Sequence, residues 1–147
     1  MDQPKAAPLL TPDALHKISA ERDHAEAQKA AAQELKRRDE EKALLDTFMA
    51  REIQPNAMER VMAAVRRAAE HGETQITVFQ FPSKLCKDSG RAINSADPNW
   101  PDSLVGFPAR AFEFFEKNLK PHGFRMRAEI LNFPGGMPGD VGVTLHW

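Results

Sequence analysis

The sequence predicts an α+β protein in two parts: a long, charge-mixed helix, then a small two-layer domain that ends in a β-hairpin. Three observations predict it. Neither Gly nor Pro occurs between Asp13 and Gln54, where Ala, Glu, Lys, Arg and Gln, all strong helix formers, dominate. Beyond Pro55, apolar residues recur twice at helical spacing. Near the end, Val141, Val143, Leu145 and Trp147 alternate with other residues as on a half-buried strand.

The bulk properties bound the function. The 147 residues fit one domain plus an extension. The 20 basic and 21 acidic residues nearly balance, which implies no general attraction to nucleic acid or to an anionic membrane. Met1-Asp2-Gln3-Pro4-Lys5 has an acid where a secretory signal carries basic residues, and no apolar run follows. No stretch approaches the roughly 18 apolar residues of a membrane span. With Cys86 the single cysteine, no internal disulfide can form. The expectation is a cytoplasmic protein without a cofactor.

Residues 1–12, with Pro4, Pro8 and Pro12, read as a disordered arm. Thr11-Pro12-Asp13 starts the long helix, predicted over 13–54. Thr11 can accept from an early backbone N–H, Pro12 suits the first helical position, and Asp13 suits the positive end of the dipole. Lys17–Glu21, Arg22–Glu26, Glu34–Arg38, Lys36–Glu40 and Arg37–Glu41 stand at i, i+4, each pair contributing about 0.2–0.5 kcal/mol. Arg22 and Lys29 fall where a coiled-coil seam needs apolar residues. Leu44, Leu45, Phe48, Met49 and Ile53 form a compact apolar stripe that should dock on something.

The domain is predicted over 56–147, in the order α-β-α-α-β-β. Asn56 and Glu59 stand at a capping-box-like spacing before a helix that buries Met58, Val61, Met62 and Val65 and ends at His71-Gly72. Glu73 to Phe81 reads as a strand with Ile76 and Val78 on one face and Phe79 and Phe81 on the other. Ser83 caps a short helix carrying Leu85, Cys86, Ser89 and Ile93. A third domain helix spans Gly106 to Lys120. Phe124–Phe133 and Val141–Trp147 form the hairpin around a Gly/Pro-rich loop. A right-handed crossover between the first two strands predicts a three-stranded mixed sheet.

Several features invite a chemical reading. Gly135, Gly136, Met137 and Asp140 lie in a hairpin loop whose backbone N–H groups can approach an anion, although no Walker spacing is present. Asp88, Arg91 and Asn94 recur every three residues beside Trp100, the outline of a ligand or partner surface. The plainer readings are a wide hairpin and a solvated helix face closed by an anchoring tryptophan. Cys86, flanked by Lys84 and Lys87 near a helix start, is a possible reactive thiol, and its apolar neighbours suggest burial instead. Glu21-x-x-His24 is half of a di-iron motif whose other ligands are lacking, so no metal is expected.

The element order resembles, as a circular permutation, that of KH RNA-binding domains. The corresponding segment, Asn94 to Asp102, lacks their Gly-x-x-Gly and carries Asp97 and Asp102, so order alone does not assign the family.

The leading expectation is a non-enzymatic protein-interaction or adaptor module that uses the N-terminal helix for a protein partner or a homo-oligomer. The alternatives are a small-molecule or anion-binding domain built on residues 88–100 and the hairpin loop, and an RNA-binding domain.

Overall fold

The computed structural model describes residues 9–147. The arm expected at 1–12 therefore lies mostly outside the described residues. Seven elements follow: α1 (Pro12–Met49), α2 (Ala57–Glu70), β1 (Gln75–Pro82), α3 (Arg91–Asn94), α4 (Gly106–Asn118), β2 (Arg125–Ile130) and β3 (Asp140–His146), with short 3-10 turns between them. The chain divides between Leu45 and Asp46 into two units. No helix of the described residues is long and apolar enough to cross a membrane.

α1 starts as its sequence dictates. Thr11 Oγ1 accepts from Ala14 N–H at 3.2 Å, and Pro12 is the first helical residue. None of its residues is buried. Arg22–Glu26, Lys36–Glu40, Arg37–Glu41 and Arg38–Glu34 form as expected. Arg37 also grips Glu34 at 2.6 Å and holds that carboxyl down to about 2. The helix ends at Met49 rather than near residue 54. Helix ends leave carbonyls without intrahelical partners. Here Arg110 donates to Met49 O at 2.6 Å and to Arg51 O at 2.8 and 3.0 Å, which allows the chain to leave the helix. α2 then follows Asn56, whose side chain makes no capping bond, contrary to the expected capping box.

The sheet is antiparallel throughout, in the order β1-β3-β2, and this corrects the expected mixed sheet. β1 and β2 do run the same way, but β3 lies between them. β3 is the strand best suited to the centre: Val141, Val143 and Leu145 are at most 1% exposed.

A second correction concerns β1. Thr77 pairs with Thr144 and Phe79 with Val143, so Val78 is an extra residue, a bulge. The bulge resets the alternation. Ile76, Phe79 and Phe81 stand opposite Leu145, Val143 and Val141, and so share the core face rather than opposite faces. Val78 packs into the core as well. The other face of the sheet carries Gln75, Thr77, Gln80, Arg125, Arg127 and Glu129, all exposed.

On the core face, Met58, Val61, Met62 and Val65 of α2 and Phe112 and Phe115 of α4 pack over Leu145. A second cluster joins Phe81, Cys86, Ile93, Leu104, Val141 and Val143. Phe48, one of the five residues of the expected docking stripe, packs against it. The ring of Phe48 lies 6.3 Å from Phe79, 6.4 Å from Phe81 and 5.2 Å from Phe107. Met49 and Ile53 are half-buried, while Leu44 is 72% exposed.

The short helix expected from Ser83 is two pieces, a 3-10 turn at Ser83–Leu85 and α3 at Arg91–Asn94. Ser83 does not cap a helix. Its N–H and Oγ–H donate to Gly139 O and Pro138 O, tying the base of the hairpin loop to the end of β1.

Candidate functional site

One face of α2 carries Ala57, Arg60, Val61, Ala64 and Arg67, at i, i+3, i+4, i+7 and i+10. The facing side of α4 carries Phe107, Ala111, Phe114 and Phe115. Alanines on both walls hold the two helices short of filling the space over the sheet. The result is a cleft of about 550 Å³ floored by Ile76, Val78, Met126 and Leu145. That volume lies within the roughly 300–1,000 Å³ of small-molecule sites.

The cleft is apolar inside, and three of its four charged lining groups are cationic. Arg51, Glu52, Arg60 and Arg67 are its charged lining groups. The Arg51 guanidinium sits 5.8 Å from the Phe48 ring centre and 5.5 Å from that of Phe107, a cation–π arrangement that favours this placement. Glu52 lies 3.7 Å from Arg110, so its charge is already partly answered. Arg60 and Arg67 join no ion pair among the described residues, and the ion pair on α2, Arg66–Glu70, lies off the cleft. Residues 56–147 hold 11 basic and 10 acidic groups, so this concentration of arginine is local.

A second cleft, of about 460 Å³, lies beside β2 and brings Asn94 and Trp100 together with Arg127, Ile130 and Phe133. Trp100 is half-buried, its ring edge-on to Phe112 at 5.5 Å, which makes it an anchor as much as a surface. The other residues expected to join them do not line this cleft. Asp88 accepts from Gly90 N–H at 3.0 Å and Ala92 N–H at 2.9 Å, which commits its carboxylate to holding the start of α3. Arg91 is exposed. Asp140 is tied to Asn132, accepting from its Nδ2 and donating its own N–H to Oδ1. Gly135 and Gly136 stand at positive φ with open space around them, and Met137 at the tip is 69% exposed.

Cys86 reverses its electrostatic expectation. It is buried, and no capped helix N-terminus stabilises a thiolate. Burial pushes its thiol up to about 11, Asp88 adds to the rise, and a bond with Ser103 opposes it. Burial of the sulfur and the raised thiol pKa both slow attack, so Cys86 is expected to react with a disulfide reagent at least about tenfold more slowly in the native protein than in urea. Equal rates in a colorimetric thiol assay would contradict the buried placement.

His146 bonds to Thr144 Oγ1 at 2.7 Å on the polar face of the sheet. Burial and Arg127 hold it below the ordinary histidine range, against the opposing effect of Glu129. Among the described residues no three His, Cys, Asp or Glu side chains gather to hold a metal ion.

The cleft between α2 and α4 has only a faint sequence signature. Ala57, Ala64 and Ala111 read as neutral helix formers, and which helix face they share becomes apparent only once α4 is placed opposite α2. Comparison with known proteins yields no matching family model, no matching curated protein and no matching solved structure.

Proposed function

We propose that the protein is a non-enzymatic binding module whose domain takes an apolar group bearing negative charge in the cleft between α2 and α4. The observation that carries this reading is the placement of Arg51, Arg60 and Arg67 around an apolar space of about 550 Å³. Guanidinium groups donate hydrogen bonds and keep their charge; they do not give up protons near neutral pH. Such a lining holds an anion and does not exchange protons with it.

Self-association through α1 finds less support. Leu15, Ile18, Leu35 and Leu44 are its exposed large apolar residues. At 3.6 residues per turn, Leu35 lies roughly 180° around the helix from Leu44, so they form no single seam.

The test uses anilinonaphthalene sulfonate, an apolar anion that fluoresces when desolvated. The native protein is expected to bind it saturably at low salt, and Ala64→Phe, which puts a ring into the middle of the cleft, to weaken that binding at least about tenfold without lowering the thermal midpoint. Equal saturable binding by the variant would count against the cleft, as would no binding by either.

A further inference from the structure

We infer that the occupant of the cleft is an acidic amphipathic helix of a partner protein; this rests on the cleft reading above and identifies its ligand. The argument begins with how the charge is spread. Arg60 and Arg67 are seven residues apart on one helix face, about 10.5 Å along its axis, and Arg51 stands separately, beside Phe48 and Phe107. A single carboxylate or sulfonate engages one of these groups and leaves the others unanswered. A ligand matching all of them carries several negative charges along an extended body with an apolar side.

Among the modes by which protein segments dock, added strands and helices in grooves present an apolar face with charges at a regular spacing. Strand addition beside this cleft would use the free edge of β1. That edge is interrupted by the bulge at Val78 and closed by Pro82, two features that discourage strand pairing. A helix in the groove meets neither obstacle. Carboxylates at i and i+7 repeat at the same spacing as Arg60 and Arg67, and apolar residues between them would enter where Ala57, Ala64 and Ala111 leave room. The domain as a whole is nearly neutral, so this complementarity belongs to the cleft.

The probe is a phage-displayed library of helical peptides with randomised surface positions, selected against the full chain and counter-selected against Ala64→Phe. The expected result is enrichment of helices carrying Asp or Glu seven residues apart beside Leu, Ile or Phe. The selected peptide should bind the Arg60→Glu, Arg67→Glu double variant at least tenfold more weakly. A version with Lys in place of its acids should prefer that variant. Because both arginines are exposed, the double variant is expected to stay folded.

Enrichment of neutral or basic peptides, or equal binding to both proteins, overturns the inference. Saturable, arginine-dependent binding of sodium dodecanoate without any peptide enrichment also overturns it, while leaving the cleft as an anion site. A dimer by light scattering that Ala64→Phe abolishes overturns it in favour of a second copy. Failure of peptides, dodecanoate and the fluorescent anion alike overturns both readings.

Discussion

Replacing Phe48 with alanine is expected to destabilise the protein by about 3 kcal/mol, near the low end for truncating a core phenylalanine. The ring meets Phe79, Phe81 and Phe107 within 6.4 Å, and deleting it leaves a void that three aromatic neighbours cannot easily fill. It also removes one of the two rings under Arg51. Leu44→Ala, one helical turn earlier and 72% exposed, is expected to change stability by no more than about 0.5 kcal/mol. Urea denaturation followed by circular dichroism measures both. If the two substitutions cost the same, the last turn of α1 is not part of the domain core.

Gly106→Val is expected to cost a similar amount, about 3 kcal/mol, from two sources. Gly106 has φ +61°, a left-handed conformation that costs other residues roughly 1–2 kcal/mol and is worse for a β-branched side chain. A Cβ there would also stand 2.9 Å from the Met49 carbonyl oxygen, which is backbone and is gripped by Arg110. Crowding of this kind typically adds about 1–3 kcal/mol. Gly123 separates the two effects. Its φ is +93° but nothing lies within 4 Å of an added Cβ, so Gly123→Val should show the conformational cost alone. Thermal midpoints of the two variants provide the comparison, and equal losses would show that Met49 does not crowd Gly106.

Much of the fold was legible in the sequence because periodicity reports burial locally. The start of α1, the buried face of α2 and the alternation of β3 all follow from side-chain spacing and capping chemistry. What escaped depends on pairing across long separations. The crossover argument correctly made β1 and β2 run the same way, but spacing could not show β3 inserting between them. The Val78 bulge was likewise invisible, since an extra residue shows itself only against a partner strand. Of the stripe from Leu44 to Ile53, Phe48 packs on the domain's own phenylalanines, while Leu44 stays exposed, a division that spacing alone does not show. Both readings of Cys86 stood open in the sequence because flanking lysines are a local signal, whereas burial, which raises the thiol pKa, is a tertiary one. The α2–α4 cleft was least legible, since alanine is informative there by the space it does not fill.

The central position of β3 also bears on how the protein comes into being. Every strand pair in the sheet includes β3, and it is the last of these three strands to be made. A nascent chain that has reached the end of β2 holds helices and two unpaired strands. Its pairing of Gln75 with His146 must wait for synthesis to pass residue 146. Until then, the apolar faces of α2 and α4 have an incomplete sheet to cover. Formation of the domain is therefore expected to come late and cooperatively, with non-local pairing setting its pace and a window of exposure to aggregation before it closes.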